Sequence, residues 1–232
     1  MKSASKNCDL HSCFFCRGCL PEWQPAILAH RRQIRFGKGD AVFREGDPVE
    51  GIFFIESGWV KVHQHWGTDK ELILRFASDG DVIGHRGLGG ENIYPVSATT
   101  LHPVRACYIP LDFFMTSLKV NRDFSLQLLL FYASELQESE KRMRNLAHMP
   151  VKGRLAQSLL RLHKKFGTDA TGALRVPLSQ QDLASYTGTA YESVFRILQE
   201  FIAEGWIRKE GKKIILLQPE ALQQLAQLPP GK

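Results

Sequence analysis

The chain has 232 residues, 44% of them hydrophobic, with 30 Lys+Arg against 24 Asp+Glu and a net charge of +6. That length allows two cores, and the unbiased composition excludes a disordered, collagen-like or membrane-embedded chain. No apolar run reaches membrane-spanning length, and Met-Lys-Ser-Ala-Ser-Lys-Asn-Cys at the N-terminus lacks the apolar core of a secretion signal, so a cytoplasmic protein with no membrane partner is expected.

Five cysteines, an odd number in a chain expected in the cytosol, argue against a disulfide framework and for metal or redox chemistry. Four lie within the first 19 residues: Cys8, Cys13, Cys16 and Cys19. Cys13-x2-Cys16-x2-Cys19 matches the first three ligands of a bacterial ferredoxin run, with Cys8 as a substitute. A fourth thiolate has to come from elsewhere, and Cys107, in a strand-like Val-Arg-Ala-Cys-Tyr-Ile-Pro, is the only other cysteine. An iron–sulfur cluster, a zinc site and a plain buried thiol at Cys107 all fit this spacing, although zinc usually takes two separated Cys-x2-Cys knuckles.

From Arg32 to Pro110 short alternating apolar runs are punctuated by glycine, a pattern that predicts a double-sheet β-roll. Representative strands are 41–43, 51–55, 59–63 and 72–76. His63, His65, His85 and His102 show no ligand spacing and read as surface or turn histidines.

Residues 121–147 contain no Gly or Pro. Leu129, Tyr132, Leu136, Ser139, Met143 and Leu146 fall on a seam of alternating three and four residues, with Glu140 beside it, which predicts a dimerisation helix. Phe124, Leu128 and Phe131 lie on another face, available to the helix's own β-roll. Ser139, Glu138 and Glu140 make the seam marginal, because like charges meet across a two-fold axis. His148-Met-Pro150 then breaks the helix, and 152–166 reads as a second amphipathic helix.

Residues 178–211 read as a helix-turn-helix. Ser179 with Asp182 starts one helix, Thr187-Gly188 ends it, and Thr189-x-x-Glu192 has the form of a capping box for a second. Val194, Ile197, Leu198, Phe201 and Ile202 give the second helix an apolar stripe, while Tyr191, Glu192, Phe195 and Arg196 open its other face. In a major groove a carboxylate accepts from cytosine and an arginine forks onto guanine, so Glu192 and Arg196 are the expected base readers. The competing reading is that Glu192 merely caps its helix and pairs with Arg196. Residues 206–217 form a basic-tipped hairpin, a wing whose Arg208, Lys209, Lys212 and Lys213 can meet phosphates. From His148 onward there are 12 Lys+Arg and 7 Asp+Glu, so most of the positive excess sits with this motif.

These readings assemble into an α+β chain: a Cys-rich segment (1–20), a β-roll sensor domain (21–120), a dimerisation helix (121–148) and a winged helix-turn-helix DNA-binding domain (149–232). The expected DNA contacts are Ser179, Gln180, Thr189, Tyr191, Glu192, Phe195, Arg196 and Lys212. No nucleophile–base pair, phosphate loop or His-rich metal cluster suggests an enzyme.

A Gly-punctuated, cyclic-nucleotide-binding-like β-roll, a long dimer helix and a C-terminal winged helix-turn-helix, in this order, resemble the CRP/FNR family of bacterial transcription regulators over nearly the whole chain. Glu192 and Arg196 match the family's Glu-x-x-x-Arg. Cys13, Cys16, Cys19 and Cys107 resemble the oxygen-sensing FNR branch, implying a [4Fe-4S] cluster, with a tighter last cysteine gap than usual. The resemblance also implies a homodimer on palindromic double-stranded DNA, working with RNA polymerase. Where the CRP branch carries a Gly-Glu-x-Gly turn and an Arg-Ser clamp, this chain has Gly84-His85-Arg86-Gly87 and Val96-Ser97, so no cyclic nucleotide is expected. Phe195 stands where FNR relatives carry a small polar residue, so the outer bases of the half-site are expected to differ. The alternatives are a cluster-less regulator with another effector or none, and a metal-binding adaptor that contacts protein instead of DNA.

Overall fold

The structure is a computed structural model and describes residues 13–67, 70–176 and 178–227. Cys8 lies outside the described residues. The chain divides into two units, one ending at His65 and resuming over Leu74–Leu136, the other comprising Trp66–Ile73 and everything from Gln137.

In the first unit, α1 (Phe14–Gly18) and α2 (Gln24–His30) precede a double sheet. The strands are β1 (Arg32–Phe36), β2 (Ala41–Phe43), β3 (Gly51–Ser57), β4 (Val60–Trp66), β5 (Lys70–Ala77), β6 (Val82–Ile83), β7 (Ser97–Thr100) and β8 (Val104–Pro110). One sheet has the order β1-β8-β3-β6 and the other β2-β7-β4-β5. Both faces of β8 are covered, with Val104 and Ala106 buried on one and Cys107 and Ile109 on the other, and across the register Ile52 meets Ile109, Phe54 meets Cys107 and Ile55 meets Ala106. The core between the sheets is aromatic, with Phe43 stacked on Tyr94 at 4.1 Å. α3 (Leu111–Val120) follows directly on β8 and buries Phe113 and Phe114.

The histidine reading needs correction. His63 is buried rather than at the surface and comes together with His65 and Glu71, their ligand atoms within 4.8 Å of one another, while His85 sits in the expected turn but is buried there. The Nε2 of His63 lies 2.9 Å from Thr99 Oγ1, and the His85 ring is wedged edge-on against Phe131 and Tyr132. An imidazole fills such an apolar slot when it stays neutral.

α4 (Arg122–His148) is an uninterrupted helix of 27 residues. In the second unit α5 (Val151–Phe166) starts after Pro150, whose fixed φ suits the position before a first helical turn. There follow α6 (Gln180–Thr187), α7 (Tyr191–Ala203), the hairpin β9 (Ile207–Glu210) and β10 (Lys213–Leu216), and α8 (Pro219–Gln227), which covers α5. The core of this unit is Leu155, Leu159, Leu162, Leu183, Val194, Leu198, Phe201 and Leu222. Among the described residues no helix is long and apolar enough to cross a membrane.

Candidate functional site

The helix-turn-helix is built by local chemistry. Ser179 Oγ accepts from the Asp182 amide at 3.0 Å, and the Asp182 carboxylate accepts from the Ser179 amide at 3.2 Å, closing a reciprocal cap on α6. α6 ends at Gly188, whose φ of +70° an L side chain rarely adopts. A Cβ there would also stand 2.5 Å from Leu146 Cδ2, so glycine is required for conformation and for space.

The expected second capping box does not form. Ala190 is the N-cap of α7, in extended conformation and without a side-chain cap, and the Thr189 amide instead donates to Ala184 O at 3.1 Å. The tight turn uses Thr189 to finish α6, so the helix starts one residue later and leaves Glu192 in its first turn. There the carboxylate faces the positive helix end without being consumed as a cap.

α7 buries Val194, Ile197, Leu198 and Phe201, leaving Ile202 half-buried and Tyr191, Glu192, Phe195 and Arg196 exposed. Arg196 is 74% exposed and pairs with Glu200 at 3.6 Å, one turn later, rather than with Glu192. Glu200 is also held by Lys152 at 3.0 Å. The Tyr191 hydroxyl donates to Gln180 Oε1 at 2.8 Å, joining the first turns of α6 and α7. Ser179, Gln180, Tyr191, Glu192, Phe195 and Arg196 thus come from the two helix starts flanking one glycine turn.

In the wing, Lys213 pairs with Asp169 at 2.8 Å, and Arg208 with Glu210 at 3.0 Å. Hydrogen bonds from Lys213 and Thr171 hold the Asp169 carboxyl well below the usual carboxylate range. Lys209 and Lys212 have no ion pair among the described residues, and Lys212 stands exposed at the hairpin tip beside Gly211.

Sequence reasoning missed Arg154 of α5. Its guanidinium donates to Leu146 O, Met149 O, Thr187 O and Gly188 O at 3.0–3.2 Å, capping the carbonyl ends of α4 and α6 at once. The only available signal was a half-buried Arg on the inner side of an amphipathic helix.

On α4, Leu129, Leu136 and Met143 are 63%, 61% and 66% exposed, and Ser139 and Glu140 are exposed with them. Leu126 and Leu130 extend this bare apolar stripe toward the N-terminus. Two seam residues behave otherwise. The Tyr132 hydroxyl donates to His85 O, and Leu146 approaches Gly188, so both spend their contacts inside their own chain.

The cysteines come together in the core. Cys13 is the N-cap of α1, Cys16 lies within it and Cys19 is its C-cap, so three-residue spacing puts them along one face of a helical turn. Cys107 pairs across the sheet with Phe54, and Phe54 stacks on Phe15, next to Cys16, at 5.2 Å. All four are buried, and no disulfide joins them. Burial, and then the neighbouring Cys13, push the Cys19 thiol up to about 12, so a thiolate there requires a compensating cation. Among the described residues no three of these sulfurs lie within 4.8 Å of one another, whereas thiolates on one zinc, each at about 2.3 Å, sit roughly 4 Å apart. The donor set suits a polynuclear group, in which each sulfur holds a different metal atom.

At the turn Gly84-His85-Arg86-Gly87 only about 10 Å³ is open. Glu135 of α4 takes both cations there, Arg75 at 3.0 Å and Arg86 at 2.9 Å.

Comparison with known proteins agrees with this architecture. Residues 33–121 match the cyclic nucleotide-binding domain family model and residues 153–225 the Crp-like helix-turn-helix domain. The CRP-like cAMP-activated global transcriptional regulator of Mycobacterium tuberculosis is 32% identical over 208 residues, 89% of this chain and 93% of that one. The transcriptional activator protein anr of Pseudomonas aeruginosa is 29% identical over 182 residues, 78% of this chain and 74% of that one. The solved structure of FixK2 from Bradyrhizobium japonicum has the same fold, with a TM-score of 0.77 at 21% identity over 85% of this chain and 98% of that one. These relatives are regulators of transcription and not enzymes, and with a helix-turn-helix behind its β-roll this chain belongs to the CRP/FNR family of DNA-binding transcription regulators.

Proposed function

We propose that the chain acts as a homodimer on palindromic DNA, recruits or contacts RNA polymerase, and responds to oxygen or redox state through a [4Fe-4S] cluster held by Cys13, Cys16, Cys19 and Cys107. The observation that carries this reading is the burial of those four cysteines in one aromatic core beside the long helix. Bound there, the cluster supplies an oxidisable crosslink between the N-terminal segment and β8. The chain's own residues do the rest: Phe15 and Phe54 exclude water, and Phe14 seats α1 against Phe124 and Phe131 of α4.

DNA reading rests on Glu192 and Arg196 for bases and on Ser179, Gln180, Thr189 and Lys212 for the backbone, with Tyr191 and Phe195 lining the same face. The exposed stripe of Leu129, Leu136 and Met143 supplies the dimer seam, with Ser139 and Glu140 keeping it weak. Two helices one DNA turn apart then bind far better than one.

A second reading is favoured by the similarity to a cAMP-activated protein: an effector in the β-roll with no cluster. Against it stands a turn whose opening holds about one water and whose two arginines already grip Glu135.

The test is anaerobic purification. A brown protein with broad blue absorbance and about four irons per chain, lost in Cys16→Ser, supports the cluster; colourless wild type with tight DNA binding refutes it. Glu192→Ala and Arg196→Ala are each expected to weaken the best site by about 1–3 kcal/mol and relax one base pair per half-site. Lys212→Ala is expected to weaken all sequences alike and flatten the salt dependence; identical behaviour of both variant types rules out base reading by α7.

A further inference from the structure

A cavity of about 360 Å³ opens within the second unit, between the helix-turn-helix and the wing. Interiors pack tightly enough that a space this size is more than a packing fault, and it falls at the small end of the roughly 300–1,000 Å³ typical of small-molecule sites. Its apolar walls include the half-buried Leu174, Leu178 and Ile214, backed by the buried Leu159, Leu162 and Leu183. A straight apolar body fits this part of the wall, because these side chains offer no polar partner.

The lining also includes Lys209 and Lys212. They are the two wing cations without an ion pair among the described residues, whereas Arg208 and Lys213 are both neutralised. Gln180, another lining residue, has its Nε2 without a hydrogen-bond partner among the described residues. Uncompensated positive charge beside an apolar hole selects an amphipathic anion: a cation is repelled, and a neutral hydrocarbon leaves the lysines unused.

We infer that this cavity binds an aliphatic carboxylic acid of medium chain length, tail along Leu174, Leu178 and Ile214, carboxylate toward Lys209 and Lys212. Gln180, Tyr191 and Lys212 line the cavity and are also assigned to DNA above, so the regulatory part of the inference rests on that reading. An occupied cavity draws these groups away from phosphate, and the acid acts as an antagonist of DNA binding through differential affinity for the DNA-free state.

The test uses the full chain with labelled methyl groups, titrated with decanoate and separately with decan-1-ol, below the micelle concentration of the acid. Decanoate is expected to shift the Ile214 and Leu183 methyl signals saturably, decanol at least tenfold more weakly. Leu174→Phe, which narrows the cavity from its rim, is expected to abolish the decanoate shift, with its fold checked by thermal melting. In a band-shift assay saturating decanoate is expected to cut DNA affinity at least tenfold. No saturable shift at these methyls, or equal binding of acid and alcohol, overturns the inference whatever the variant does. Decanoate binding by a chain that binds no DNA fragment keeps the cavity assignment and sinks the DNA reading instead.

Discussion

Replacing Arg154 by Met removes one side chain that serves two helix ends. Four carbonyl oxygens, of Leu146, Met149, Thr187 and Gly188, accept from its guanidinium at 3.0–3.2 Å. Burial lowers its pKa, yet an arginine stays charged at any working pH, so all four bonds are charge-assisted. They are long and part-exposed and one Nη serves two of the carbonyls, which offsets the charge assistance and leaves each at about 0.5–1 kcal/mol, for a sum of about 3 kcal/mol. For a unit of roughly a hundred residues that corresponds to a drop in Tm of about 12 °C. Met keeps most of the apolar stem, so the loss reports the hydrogen bonds rather than a cavity. Lysine keeps the charge but reaches one or two carbonyls only, and Arg154→Lys is expected to recover less than half. Scanning calorimetry on the full chain measures both, and a band-shift assay is expected to show weaker DNA binding, because two of the freed carbonyls, of Thr187 and Gly188, belong to the turn that sets α7 against α6. A Met variant melting within about 2 °C of the parent, or a Lys variant indistinguishable from it, refutes the two-helix clamp.

Acid sensitivity is expected in two steps. Burial, Arg75 and Arg86 hold the His85 pKa well below 6.5, so the unfolded chain binds the extra proton and stability falls as pH drops from about 7 toward 5; His85→Gln is expected to flatten that limb in thermal melts. Burial raises the Glu135 carboxyl, but Arg75 and Arg86 outweigh it and hold the group below 4.5, so its contribution is complete above that pH and lost beneath it; Glu135→Gln is expected to remove this lower step. In Gly18→Ala the new Cβ meets Gln127 Oε1 at 2.5 Å and Phe124 Cδ2 at 2.7 Å. Gln127 can swing away but buried Phe124 cannot, so a loss of about 1–3 kcal/mol is expected, together with fewer irons per chain; an unchanged melt and metal content rejects the close α1–α4 seat. Leu136→Glu with Met143→Glu is expected to weaken self-association at least about a hundredfold in sedimentation, and an unchanged dimer removes this stripe from the interface.

Much of the fold was legible because its signals are local. Ala41–Phe43 and Gly51–Ile55 show as short apolar runs beside glycines, the Cys107 strand as a short run ending at Pro110, and the Ser179–Asp182 cap as a four-residue pattern. Features that depend on a distant partner were not legible. Thr189 carries a capping pattern, yet the amide geometry after Gly188 spends it on α6 and leaves Ala190 as the cap. His63 and His85 look like surface residues until Thr99 and the rings of Phe131 and Tyr132 close on them. α1, α2, α3 and α8 were not read as helices: α1 is only five residues long, and α8 owes its place to α5, where Leu225 O comes within 3.0 Å of a Cβ built on Gly153. At the candidate site the basic residues of the wing looked alike in sequence, and only the positions of Asp169 and Glu210 separate Lys213 and Arg208, which are paired, from Lys212, which has no ion pair among the described residues.

The placement of α1 gives the proposed switch its physical basis. Phe14 meets Phe124 at 5.9 Å and Phe131 at 5.3 Å, and Phe15 meets Phe124 at 5.1 Å, so the cysteine-bearing turn is seated on the first half of α4. Two further ties anchor the chain just after Cys19: the Leu20 amide donates to Asn121 Oδ1 at 2.8 Å and Trp23 Nε1 to Ser117 Oγ at 3.0 Å. Phe124 is fully buried and Leu128 nearly so, whereas Leu126, Leu129 and Leu130 on the same helix are bare. One face of α4 is therefore covered by the cysteine segment and the other is bare, the face proposed above for a partner. A helix held on one side presents its remaining side chains at a fixed rotation, which a heptad seam needs for its knobs to find their holes. If the cysteine turn loosens, Phe14 and Phe15 withdraw, a cost of several kcal/mol in buried aromatic surface, and a roll of α4 that turned its bare leucines onto Phe54 and Phe114, the rings Phe15 now covers, would recover part of it. Those leucines belong to the exposed stripe, so under the proposed switch the same apolar surface would serve either the dimer or the opened sensor, and a few kcal/mol at the cysteines would move the balance between the two.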